Sequence, residues 1–201
     1  MNPNRRKIFH LGIALMSLLT PMASHSADQT EGASRAPRVA LHTNLGTITV
    51  ELDAERAPKT VANFLAYLVK GHYDGTVFHR VIPGFMIQGG GFDRELQLRP
   101  TNTPIPNEAD NGLKNVRGTI AMARTQDPHS ARAQFFINLV DNPHLDHRDP
   151  SPQGWGYAVF GRVVAGMEVV DAIAKVPTTR VGPLRDVPVE PVVIERAERV
   201  E

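Results

Sequence analysis

The chain has 201 residues, 41% hydrophobic and 21% charged, which is the make-up of a single globular domain large enough for a full core. A formal net charge of +1 argues against nucleic acid or a membrane surface as partner. There is no cysteine, so disulfides, thiolate nucleophiles and thiolate metal sites are excluded.

Residues 1–26 read as a secretory signal peptide. Arg5, Arg6 and Lys7 form a basic start, Ile8 to Leu19 a short apolar run, and Pro21 breaks it. Ser24 and Ser26 suit the −3 and −1 positions, so cleavage is expected after Ser26. The apolar run is shorter than the roughly 20 residues a spanning helix needs. The residues after Arg5-Arg6 fit a twin-arginine signal poorly. The leader points to a bacterial periplasm, with no membrane attachment once it is removed. From residue 27 on, 19 basic and 21 acidic residues leave a net charge of −2. Residues 27–38 are polar and small, the composition of a flexible N-terminus, and 39–201 form the folded domain.

Val39–His42 and Thr47–Leu52 are β-rich runs about a turn at Thr43–Gly46, a hairpin pattern. Pro58 suits the first position of a helix. Val61, Phe64, Leu65 and Leu68 then fall at i, i+3, i+4 and i+7, and Gly71 ends the stripe. Such a face normally packs on a sheet.

Phe78 to Gly91 is the central stretch. Pro83-Gly84 predicts a tight turn between two short strands. At period two, Met86 and Gln88 share a face and Ile87 takes the other. A guanidinium (Arg80) and an amide (Gln88) then stand beside Phe85 and Met86, the composition of a small-ligand pocket. Read as plain core, the same apolar residues would leave Arg80 to pair with a surface carboxylate.

Phe92 to Gly112 is a long loop with three prolines, a length that is usually functional or mobile. A domain boundary at Pro104 or Pro106 would leave neither side with a complete set of strands. Gly118–Ala123 and Gln134–Asn138 predict strands. On the second, Gln134, Phe136 and Asn138 face one way and Phe135 and Ile137 the other. Tyr157–Val164 predicts another strand, Met167–Val176 a short helix closed by Pro177, and Pro191–Val200 a last strand. The stretch up to Pro188 reads as turns. About eight short strands and two helices suggest a mainly β barrel or sandwich.

FHRVIPGFMIQGG, at Phe78–Gly90, closely resembles the signature of the cyclophilin family of peptidyl-prolyl cis-trans isomerases. Gly118–Ala123, Gln134–Asn138 and Val159–Gly161 with Met167 follow in the family's order and spacing. The similarity spans nearly all of 39–198 and looks closest to bacterial periplasmic cyclophilins, which carry a segment like Asn107–Gly112. The resemblance implies a closed eight-stranded antiparallel β-barrel capped by two α-helices. It implies no cofactor and no metal. The partners it implies are proline-containing polypeptides, here exported proteins during folding, met by a monomer.

Position by position, Arg80 matches the family's catalytic arginine. Phe85, Met86, Phe136 and Leu145 match the wall of the proline pocket, and Gln88 the glutamine that contacts the peptide backbone. Ala123 and Gln134 match further groove residues, and Arg124 stands where many members have asparagine. His144 stands where eukaryotic members often have tryptophan, and Tyr157 where they often have histidine. That tryptophan helps hold cyclosporin, so weak binding of the drug is expected.

The chemistry suits these residues. Rotation about a peptide bond meets a barrier of about 18–20 kcal/mol because the nitrogen lone pair is delocalised. X–Pro bonds populate both isomers but exchange over roughly tens to hundreds of seconds. No bond breaks, so neither nucleophile, metal nor general base is required. A donor aimed at the proline nitrogen favours the twisted amide, in which the lone pair is regained. Arginine keeps its charge and presents several fixed N–H groups.

Other residues fit blander roles. His144 and His147 lack the further ligands a zinc site needs. His79 is expected to be structural, and Asp146 and Asp149 to shape a loop. A competing reading is a proline-peptide binding module or chaperone that needs no turnover. Arg80 favours the enzyme, since a pure binder needs no donor at the amide nitrogen.

Overall fold

The computed structural model describes residues 36–201. The expected signal peptide (1–26), and all but the last residues of the expected flexible segment (27–38), lie outside them. Strands β1 (Arg38–Thr43) and β2 (Gly46–Leu52) form the expected hairpin, with Arg38 opposite Glu51 and Thr43 opposite Gly46. Thr43 Oγ1 donates to the Gly46 carbonyl at 2.7 Å and ties the turn.

Helix α1 (Pro58–Val69) starts on its proline and buries Val61, Phe64 and Leu68. Its first N–H groups have no partner within the helix. Glu108, from the long loop, supplies one: its carboxylate accepts from Lys59 N at 3.1 Å and from Thr60 N at 2.8 Å. A negative charge is favourable at a helix N-terminus.

Strands β3 (Thr76–Val77), β4 (Arg80–Ile82) and β5 (Met86–Gly89) follow, then β6 (Thr119–Met122) and β7 (Phe135–Asn138). Gly84, at φ 72°, takes the left-handed position in the Pro83-Gly84 turn between β4 and β5. A single 3₁₀ turn spans Pro143–Leu145. The chain ends with β8 (Val159–Ala165), α2 (Met167–Ile173), β9 (Thr178–Val181), β10 (Leu184–Pro188) and β11 (Val193–Val200).

Nine strands form one antiparallel sheet in the order β3-β11-β1-β2-β8-β6-β7-β5-β4. The two edge strands, β3 and β4, are separated in the chain only by Phe78 and His79, so the sheet curls back on itself. The remaining pair, β9 and β10, forms a separate two-stranded ribbon.

The fold is therefore mainly β with two helices, as expected, but the strand count differs from eight. β3 is only two residues long, too short to show a period. The stretch read as turns before Pro188 is the β9–β10 ribbon. All four residues of β9 are exposed, so no burial alternation marks it in the sequence. The closed eight-stranded barrel gives way to a curled nine-stranded sheet plus a ribbon.

The concave core is built from inward residues of the sheet, among them Leu41, Ile48, Val50, Ile87, Ile120, Phe135, Ile137 and Phe160, and from both helices. Phe64 of α1 lies 5.7 Å edge-on from Phe135 and 5.2 Å from Phe160, so one helix face caps the sheet's interior. Among the described residues, no helix is long and apolar enough to cross a membrane.

Candidate functional site

Period-two alternation gives four neighbouring strands a second, outward set of apolar residues. Ile87, Ile120, Phe135, Ile137 and Phe160 point into the core. Met86, Ala121, Phe136 and Val159, their neighbours in sequence, form a separate cluster with Leu145. Phe85, Ala123 and Tyr157 pack against that cluster. Met86, Phe136 and Leu145 are nearly buried while Phe85 is half-exposed, which describes a shallow apolar pocket with a firm floor. The expected pocket residues Phe85, Met86, Phe136 and Leu145, with Ala123 and Tyr157, thus come together.

Arg80 and Gln88 sit directly opposite each other across β4 and β5, two pairs beyond Ile82 and Met86 in the same ladder and so on the same face as Met86. Opposed residues share a face, so both flank the cluster. Arg80 is exposed, and Asp186 lies 3.7 Å from its Nε. Gln88 Nε2 donates to Gln134 Oε1 at 2.9 Å, which draws a second expected residue to this edge. Ala123 N donates to the Gln134 carbonyl at 3.0 Å.

A chain of buried amides fixes the pocket from behind. Asn115, Asn138 and Asn142 are 1%, 0% and 4% exposed. Asn142 Nδ2 donates to Asn138 Oδ1 at 2.9 Å and to the Phe85 carbonyl at 3.1 Å. Asn138 Nδ2 donates to Asn115 Oδ1 at 3.2 Å and to Thr119 Oγ1 at 2.9 Å. Asn115 Nδ2 donates to the Leu145 carbonyl at 3.1 Å and reaches the Tyr157 carbonyl at 3.3 Å. Asp146 Oδ1 accepts from Asn115 N at 2.8 Å, which gives that carboxylate its loop-shaping part. Three residues at the pocket are thereby tied to one network through their backbones. A satisfied buried network of this kind makes the surrounding geometry specific.

The other expected residues occupy the rim. His144 is exposed, and its ring stacks on Phe85 with centroids 5.7 Å apart. Tyr157 meets Phe136 edge-on at 5.7 Å. The Arg124 guanidinium lies 4.6 Å over the Tyr157 ring. Its Nε donates to Gly156 O at 2.9 Å, and its terminal nitrogens donate to Thr125 O at 2.9 Å and Pro152 O at 3.3 Å. Arg124 therefore staples two rim loops.

His144 and His147 serve different contacts. His147 Nδ1 is 2.9 Å from Trp155 O, and its ring packs on Trp155. His79, beside Arg80 in sequence, is buried and packs against Phe92 at 4.6 Å. Burial, helped by the Arg80 charge, lowers its pKa to about 4. Its Nδ1 has no well-aligned partner among the described residues, so the ring is neutral filling between the edge strands.

Sequence reasoning missed Asn115, Asn142 and Asp186. The clue to the network is Asn138, which period two puts on the Phe136 face. Nothing local marks Asp186, which is 106 positions from Arg80 in the chain.

The family model for "Cyclophilin type peptidyl-prolyl cis-trans isomerase/CLD" matches residues 38–199. Peptidyl-prolyl cis-trans isomerase cyp18 of Streptomyces antibioticus is 61% identical over 160 residues, which covers 80% of this chain and 96% of the relative. Peptidyl-prolyl cis-trans isomerase A of Dickeya dadantii is 48% identical over 187 residues, covering 93% and 97%. Peptidyl-prolyl cis-trans isomerase B of Escherichia coli is 59% identical over 157 residues, covering 78% and 96%. Among solved structures, a cyclophilin-type isomerase of Cryptosporidium parvum, in a crystal structure in the presence of the dipeptide Ala-Pro, superposes with a TM-score of 0.67 at 27% identity; the match covers 82% of this chain and 99% of that one.

Proposed function

The chain belongs to the cyclophilin-type peptidyl-prolyl cis-trans isomerase family and is an isomerase of that class, and from that premise we propose that it speeds X–Pro isomerisation in exported proteins as they fold in a bacterial periplasm. In this reading it works as a monomer after losing residues 1–26, and 39–201 are the catalytic domain. It needs neither metal nor cofactor and binds neither nucleic acid nor membrane.

One observation carries the assignment of the site: Arg80 and Gln88 face each other beside the outward apolar cluster of Met86, Phe136 and Leu145. The proline ring rests on that cluster and against Phe85. Gln88 and Gln134 hold the peptide backbone with the Ala123 carbonyl, while the other side of the bond turns. Arg80 donates to the proline nitrogen as it becomes pyramidal. That contact is stronger in the twisted amide than in either planar isomer, so it lowers the barrier rather than merely tightening binding. His144, Tyr157 and Arg124 form the rim that meets residues flanking the proline.

The folding role is tested with an exported protein whose refolding is limited by a native cis X–Pro bond. Catalytic amounts of the mature chain should remove its slow phase. An unchanged slow phase contradicts the role. Export is tested by cell fractionation and N-terminal sequencing, with Ala27 expected as the first residue of a periplasmic product. A cytoplasmic product that retains its leader contradicts it.

A further inference from the structure

We infer that Asp186 is a positioning residue for Arg80, delivered by the β9–β10 ribbon to hold the guanidinium by one edge during isomerisation. The inference rests on the reading of Arg80 as the catalytic donor. Asp186 Oδ2 lies 3.7 Å from Arg80 Nε, and both side chains are about two-fifths exposed (44% for Arg80, 40% for Asp186). The contact is at Nε, the inner nitrogen of the fork. The two terminal nitrogens make no hydrogen bond among the described residues, and they are the donors that remain for a substrate.

A second observation sets this carboxylate apart from an ordinary surface partner. Asp186 has φ 59°, one of two non-glycine residues with positive φ among the described residues. It lies where the β9–β10 register shifts, between Leu184 and Val187. Aspartate tolerates the left-handed region better than most residues, yet the conformation is uncommon and has a cost. A two-stranded ribbon is marginal by itself. Here an irregular ribbon outside the main sheet places one carboxylate at the guanidinium assigned to catalysis.

The physical role follows from the length of the arginine side chain. Arg80 stands at the start of a three-residue edge strand and is exposed, so its rotamers are many. A charge at Nε selects those that turn the terminal nitrogens away from the ribbon. Asp186 does not itself touch the reacting bond. Its effect is the modest one expected of an exposed ion pair, about two- to five-fold in turnover.

The test is a cycle on the mature enzyme with an X–Pro peptide: wild type, Asp186→Asn, Arg80→Lys and the double variant. Asparagine keeps the shape and accepts the same backbone angle but lacks the charge. Asp186→Asn should lower kcat about two- to five-fold at unchanged KM. It should also shift the Arg80 Nε–Hε resonance in NMR and have no further effect beside Arg80→Lys. Asp186→Gly, which relieves the backbone, should lose the same turnover without loss of melting temperature. Wild-type kcat and an unmoved Nε resonance in Asp186→Asn overturn the inference. So does an equal loss in the Arg80→Lys background. Full turnover in Arg80→Lys and Arg80→Ala would instead refute the reading of Arg80 on which the inference stands.

Discussion

Gln88 donates its side-chain amide to Gln134 Oε1 at 2.9 Å, and the bond crosses from β5 to the residue just before β7. Gly91 makes room for it. A Cβ at position 91 would lie 2.6 Å from Gln134 Cδ, closer than atoms pack. We predict that Gly91→Ala swings Gln134 aside and breaks the pair. The backbone at Gly91 is not left-handed, so the effect should be local. Peptide KM should rise about three- to ten-fold, as expected for the loss of about 1 kcal/mol of hydrogen bonding. Steady-state kinetics beside a melting curve checks this: an unchanged KM contradicts it, and a collapsed melting temperature shows that the change was not local.

The buried amides should be needed for both stability and binding. Asn138→Ala leaves Asn115 Oδ1 without its donor and takes from Asn142 Nδ2 one of its two acceptors, the other being the Phe85 carbonyl. Each unsatisfied buried group costs about 1–3 kcal/mol. We expect a loss of about 2–4 kcal/mol in urea unfolding. Because Asn142 and Asn115 also bind the Phe85 and Leu145 carbonyls, KM should rise in the protein that remains folded.

Stability should fall on mild acidification, and His79 should account for much of it. Its pKa is held to about 4 in the fold, against about 6.5 unfolded. Between those values the unfolded chain binds a proton that the native state refuses. Native stability is therefore full above about pH 6.5, declines as pH falls towards about 4, and levels off below. The difference amounts to about 3 kcal/mol. His72, whose pKa burial also lowers, acts with the same sign. The change in slope between wild type and His79→Met, measured by urea titration from pH 7 to 4, isolates His79. An identical slope in both proteins would contradict the assignment.

His144 stacks on Phe85 at the exposed edge of the pocket. A tryptophan there would offer a larger face to an apolar ligand. His144→Trp should tighten cyclosporin binding about tenfold or more while leaving X–Pro turnover near wild type. Isothermal titration with the drug checks this, and unchanged affinity would show that the His144 position does not limit it.

Local pattern carried much of the fold. The stripe Val61, Phe64, Leu68 became the buried face of α1. Period two separated Met86 from Ile87, and Phe136 from Phe135 and Ile137, and the two sets lie in different clusters. The apolar part of the candidate site was legible because it is written in consecutive strand residues. What escaped was non-local. Glu108 caps a helix whose sequence ended 39 positions earlier, at Val69. Asn115 and Asn142 lie in irregular segments, where polar residues read as solvated loop. Thr178–Pro188 has Pro177, Pro183 and Pro188 in or beside it and an exposed first strand, so turn chemistry masked its pairing. The contact of Asp186 with Arg80 exists only after the ribbon has formed.

The most direct test of the account is the cis-to-trans rate of a short X–Pro peptide with the mature protein and with Arg80→Ala. The account predicts strong acceleration by the wild type and its near-complete loss in Arg80→Ala, with the variant folded and still binding the peptide. Acceleration that survives in the folded variant would remove Arg80 from the mechanism and leave the outward cluster of Met86, Phe136 and Leu145 to act by binding alone.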